Sequence, residues 1–130
     1  MASIFRDFEV NASAETVWDA IRDFGNVHRR LAKGFVVNTL VNGNVRTVTF
    51  ANGFTVQEEV VAIDEQHRRF VYRSVGGKAS HHNAFFQVYE RGEGKSLVLW
   101  VTDLLPNEMQ APIEQMVDQG ISAIQKTFAS

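Results

Sequence analysis

"VRTVTFANGFTVQEEV", residues 45–60, is the stretch on which the fold turns. Two runs rich in β-branched residues flank a tight Ala51-Asn52-Gly53 turn, the pattern of a β-hairpin. A turn there sets opposite each other residues whose numbers sum to about 104. Phe50 then faces Phe54, Val48 faces Val56 and Arg46 faces Glu58. Side chains alternate along a strand with period two, so these six share one face. Thr47, Thr49, Thr55, Gln57 and Glu59 take the other. Polarity makes the first face the inner one, and a one-residue slip would expose both phenylalanines. The register therefore predicts Arg46 and Glu58 side by side on the core face. Two readings stay open for that pair. It is a half-hydrated pair at the sheet rim that contributes little, or it is a polar anchor inside an apolar cavity, where Glu58 or Arg46 orients a ligand's polar group.

The same strand-forming composition continues in both directions. Strands are expected near 35–41, 45–51, 54–63, 69–75, 82–90 and 96–104, separated by "NGN", "ANG", "DEQH", "VGGK" and "RGEGK". Such short connections imply antiparallel hairpins. Before them, residues 3–10 read as a strand, broken by Asn11 to Ser13, with Ser13 a suitable N-cap. Val17, Trp18, Ile21 and Phe24 recur at helical spacing, which predicts a helix over 14–23, and "VHRRLA" suits a second short one. At the other end Ile113, Met116, Val117, Gly120, Ile121, Ile124 and Phe128 form one apolar helical stripe. Pro112 fits the first turn of that helix, where its missing N–H matters least, and 107–111 suit a loose turn before it. The expected class is α+β: a curved seven-stranded antiparallel sheet wrapped around a long C-terminal helix. Such a sheet encloses a space that either side chains or a ligand must fill.

The totals narrow the function classes. A chain of 130 residues suits one domain over 1–130, and linkers, repeats and low-complexity segments are absent. A net charge of -2 with 45% hydrophobic residues gives no reason to expect nucleic acid or an anionic membrane as partner. There is no cysteine, hence no disulfide, thiolate metal site or cysteine nucleophile. "MASIFRDFEV" carries charges where a signal peptide needs an apolar stretch, and no run approaches the roughly 18 apolar residues of a membrane span. A cytoplasmic protein is expected.

Several residues invite chemistry. Tyr72 and Ser74 share the face of Phe70, and pairing across the 64–67 turn brings Ser74 near Glu58. A Glu58–Ser74–Tyr72 group in an apolar pocket suits a phenol or enol oxygen, or forms a hydrogen-bonded core cluster. Glu58 and Tyr72 are the candidates for moving a proton. Trp100 shares a face with Phe86 if their strands pair through "RGEGK", and both then line the cavity or pack on the helix. Gly120 on the buried stripe signals either close helix-to-sheet packing or room for a ligand, and Met116 offers a flexible wall to both. Trp18 reads as ordinary core. His67 lies in a charged turn and reads as exposed, and His28 sits near the entrance. His81 and His82 are adjacent on a strand, so their rings point to opposite faces and cannot share a metal. One histidine near the mouth suits a general base, and otherwise a surface role is expected of them. No phosphate loop, nucleophile elbow or metal motif occurs, and no cofactor is implied.

"NASAETVWDAIRDFGNV" resembles the first helix region of the START and birch-pollen-allergen superfamily. "VRTVTFANGFTVQEEVVAIDEQHRRFVYRSVGG" is similar to the central hairpins of its polyketide cyclase/dehydrase branch, and the resemblance runs on through "SLVLWVTDLLP" to the last helix. It implies the helix-grip fold and a hydrophobic cavity that takes lipids, sterols, polyketides or plant hormones. By resemblance, Glu58 falls where plant abscisic acid receptors keep a cavity glutamate, with Val48 and Phe50 on cavity-lining positions. "ANGFT" (51–55) falls on their gate and "GGKASHHNA" (76–84) on their latch. The gate lacks its proline, Ala79 and Ser80 replace the latch His-Arg pair, and Arg29 stands at the hormone-lysine position. The expected function is binding of a hydrophobic small molecule (lipid, polyketide or aromatic), with its entrance between these two loops and 25–34 nearby. The alternative is a polyketide cyclase or aromatase acting in that cavity, and a third reading is a regulator whose loops bind a protein partner when loaded.

Overall fold

The computed structural model describes residues 2–129. Strand β1 (Ala2–Val10) leads into helix α1 (Ala14–Arg22) and a π-helical turn at Val27–Leu31. Six strands follow: β2 (Val36–Asn42), β3 (Val45–Phe50), β4 (Thr55–Asp64), β5 (Arg69–Val75), β6 (His81–Gly92) and β7 (Lys95–Leu105). A 3-10 turn at Asn107–Met109 precedes helix α2 (Gln110–Phe128). The strands make one antiparallel sheet in the order β1-β7-β6-β5-β4-β3-β2. Each hairpin thus joins neighbours, and only the β1–β7 pairing needs a long-range closure. This is the helix-grip arrangement expected from the sequence.

Local sequence signals set the ends of both helices. The Ser13 side chain accepts the Thr16 backbone N–H at 3.1 Å and starts α1, whose buried face carries Val17, Trp18 and Ile21. Pro112 occupies the first turn of α2, where its backbone nitrogen owes no intrahelical bond. Trp18 is core, 6% exposed, and its indole N–H donates to Glu65 at 2.7 Å.

The opening hairpin has the expected register: Arg46 opposite Glu58 and Val48 opposite Val56. Glu58 also faces Ser74 across to β5. Irregularities at Val36/Asn38, Val60/Ala62 and Glu90/Gly92 each insert a residue into the ladder. Bulges of this kind bend strands, so the sheet curls instead of lying flat.

One expectation fails here. Phe54 does not turn inward with Phe50: it is 69% exposed. The ladder ends one step earlier, because residues 51–54 form a turn of their own. Gly53 N–H donates to the Phe50 carbonyl at 2.9 Å, and the Asn52 side chain accepts the Phe54 N–H at 3.0 Å. Phe50 packs on Phe35, ring centroids 5.1 Å apart. No helix among the described residues is long and apolar enough to cross a membrane.

Candidate ligand cavity

Curling the sheet over α2 leaves a cavity of about 710 Å³. Arg46, Val48, Phe50, Val56 and Glu58 line it from the opening hairpin, and Tyr72, Ser74, Phe86 and Trp100 from the next strands. Met116 and Gly120 close it from the helix, and Phe54 stands at its rim. The exposed wall residues gather at Phe54–Gln57, Val75–Lys78 and Pro112, so the space opens among the 51–55 loop, the 76–79 loop and the start of α2. Val27 and Leu31 from the π-helical turn, with Ala32 just after it, add a wall.

The Arg46–Glu58 pair is buried, not at the rim. Arg46 Nε donates to Glu58 Oε1 at 2.8 Å, and the two side chains are 5% and 14% exposed. Nη1 reaches the Phe24 carbonyl at 3.4 Å. The guanidinium carbon lies 5.3 Å from the Phe70 ring centroid and 5.2 Å from that of Tyr72. A planar, weakly hydrated cation is suited to such a place, because ring faces replace part of its hydration.

The remaining polar groups pair differently from the expected Glu58–Ser74–Tyr72 group. Ser74 is opposite Glu58 in the ladder, yet its hydroxyl pairs with His82 Nδ1 at 3.2 Å. The Tyr72 hydroxyl accepts the Trp100 indole N–H at 3.1 Å. Glu58 Oε1 is taken by Arg46, so the three side chains point into one cavity without joining one hydrogen-bonded group. Burial pushes the Tyr72 phenol far above its ordinary range, and the charge of Glu58 adds to this, so it stays protonated. Phe86 stacks on Trp100 with centroids 4.6 Å apart, and Tyr72 follows at 6.2 Å from Phe86.

Gly120 serves both readings made of it. A Cβ there would lie 3.0 Å from the Trp100 ring and 3.4 Å from Phe35, so a bare backbone is what lets α2 lie against the indole. It also forms part of the cavity wall.

The histidines divide. His82, expected at the surface, is half-buried on the cavity wall. Burial pushes its imidazole down, against the opposing pull of Glu58, which leaves it neutral at pH 7. Alternation could have found it: His82 shares the face of Ala84, Phe86 and Val88, all of them buried. His81 is exposed, as expected. His67 is exposed and pairs with Asp64 at 2.8 Å, which holds that carboxyl below its usual range. His28 pairs with Thr39 at 3.1 Å and is not on the cavity wall, nor is Arg29, which is exposed. The π-helical turn presents Val27 and Leu31 to the interior and leaves Arg29 outside. Among the described residues no three His, Cys, Asp or Glu side chains gather as a metal site.

Known proteins share this architecture. A protein named XoxI from Bacillus cereus superposes with a TM-score of 0.86 at 23% identity, over 98% of this chain and 96% of its own. An uncharacterized protein from Bacillus thuringiensis gives 0.85 at 22% identity, over 98% of both chains. Norcoclaurine synthase from Thalictrum flavum, solved with dopamine and hydroxybenzaldehyde, gives 0.72 at 18% identity, over 96% of this chain and 84% of its own. At these identities the likeness is one of fold. No functionally curated protein matches the sequence. The sequence pattern of one family, described as polyketide cyclase / dehydrase and lipid transport, matches residues 1–129. With a match over that length, on a sheet that grips its last helix around an apolar cavity, the chain belongs to the polyketide cyclase/dehydrase and lipid transport family.

Proposed function

We propose that the chain, 1–130, is one ligand-binding unit that holds a hydrophobic small molecule (a lipid, polyketide or aromatic) in its cavity, as a cytoplasmic carrier or sensor. The observation that carries this reading is the cavity itself. Its volume of about 710 Å³ falls within the range of small-molecule pockets, its walls are mostly apolar, and a few polar groups converge inside it. Arg46, Glu58, Tyr72 and Ser74 fix the ligand's polar end, while Val48, Phe50, Phe54, Val56, Phe86, Trp100, Met116 and Gly120 enclose its body. The norcoclaurine synthase structure supports the capacity of this fold to hold small aromatics.

The test is uptake of a neutral fluorescent probe, N-phenylnaphthylamine. Fluorescence should rise on binding, and Val56→Trp, which fills the cavity from β4, should abolish the rise while leaving the circular dichroism spectrum unchanged. Equal uptake by wild type and Val56→Trp would mean that the probe sits elsewhere.

A second reading, catalysis as a cyclase or aromatase, is favoured by one observation. A neutral imidazole, His82, and a carboxylate, Glu58, face the same apolar space. Turnover lost in Glu58→Gln with folding intact would support it.

A further inference from the structure

The Tyr72 hydroxyl on the cavity wall still has a proton to donate. The Tyr72 hydroxyl accepts from Trp100 at 3.1 Å, but among the described residues its own O–H reaches no acceptor. A phenol has one proton to donate, and leaving a buried donor unpaired is costly. Tyr72 is 5% exposed and lines the cavity, so the space the O–H can reach is the space a ligand occupies. The Trp100 bond polarises the hydroxyl and strengthens it as a donor.

The charges around it cancel. Arg46 and Glu58 neutralise each other at 2.8 Å. His82 is kept neutral by burial. The remaining charged wall residue, Lys78, is exposed at the mouth. A ligand carboxylate at the deep end would therefore add a negative charge beside Glu58, whose one counter-ion is already engaged. A plain hydrocarbon would leave the Tyr72 proton unpaired.

We infer that Tyr72 is a specificity-determining residue that recognises an uncharged carbonyl oxygen, as in a ketone, ester or quinone, on an otherwise apolar ligand, and that the deep end disfavours a free carboxylate. This rests on the ligand-binding reading above and names the polar group that reading left open.

The experiment uses three probes of one shape: acetylnaphthalene, ethylnaphthalene and naphthoate with the same ring position substituted, titrated into the full chain at neutral pH by calorimetry. The ketone should bind about tenfold more tightly than either the hydrocarbon or the anion, the worth of one buried hydrogen bond. In Tyr72→Phe the advantage of the ketone over the hydrocarbon should vanish. The carbonyl stretch of bound acetylnaphthalene supplies a readout independent of any change in fold: on the wild type it should shift to lower frequency than in hexane. Equal affinity for ketone and hydrocarbon, or an unshifted stretch, overturns the inference and leaves the binding reading standing. Failure of all three probes and of N-phenylnaphthylamine to bind overturns both.

Discussion

Arg46→Met and Glu58→Gln, made singly and together, test whether the ion pair is as buried as its geometry implies. With side chains 5% and 14% exposed and 2.8 Å between nitrogen and oxygen, each charge depends on the other for most of its solvation. Removing one partner of a buried pair typically costs about 3–5 kcal/mol, against about 0–1 kcal/mol at an exposed site. The two single variants should differ. Arg46→Met leaves a carboxylate facing apolar walls with no counter-charge and belongs near the upper figure. Glu58→Gln keeps an amide oxygen that can still accept from Nε. It also leaves the guanidinium over Phe70 and Tyr72, a contact worth about 0.5–2 kcal/mol. Its cost should therefore fall nearer the lower figure. The double variant should cost less than the sum, since the second change removes a charge the first left stranded. Urea unfolding at neutral pH, with m-values compared to check two-state behaviour, measures all four corners of the cycle. A coupling energy above about 1.5 kcal/mol is expected. Coupling near zero would refute the buried pair and would return it to the hydrated rim. Large coupling with unchanged probe affinity in Glu58→Gln would make the pair structural and remove Glu58 from the binding site.

Gly120→Ala sets helix propensity against packing. The gain of about 1 kcal/mol is opposed by a Cβ 3.0 Å from an indole that Phe86 stacks on and Tyr72 holds by a hydrogen bond. Net destabilisation by about 1–2 kcal/mol is expected, with a fall in N-phenylnaphthylamine affinity, and a gain in stability would show that the indole yields freely. His82 should make the protein acid-sensitive. Its folded pKa is depressed by burial below the unfolded value of about 6.5, so below that pH the unfolded chain binds the proton first and stability falls. Unfolding midpoints measured from pH 7.5 down to pH 5.5 should drop in the wild type, and His82→Asn should flatten the decline. Parallel curves would mean that His82 is hydrated.

The sequence by itself determined the element order, the antiparallel pairing and the inner face of the opening hairpin, Phe54 apart. The reason is local. An Asn-Gly turn sets the register of β3 on β4, and a period of two then assigns Val48, Val56, Arg46 and Glu58 to one side without reference to the rest of the chain. The apolar stripe of α2 and the Ser13 cap are equally local, and both act as their patterns imply. What only the tertiary structure decided is which polar atoms meet. Ser74 lies opposite Glu58 across to β4 and, one step beyond the Arg73–Asn83 pair, beside His82 on β6, and its hydroxyl bonds to His82. Phe54 left the interior because its turn closed through the Asn52 side chain, one residue beyond where alternation stops applying. Arg29 stands off the cavity wall because Val27 and Leu31, four residues apart, take the inner face of the turn and Arg29 between them faces away. Periodicity assigns a side chain to a face. The volume of the cavity and the partners inside it depend on sheet curvature and on how closely Gly120 lets the helix approach, and these are set by contacts between residues far apart in the chain.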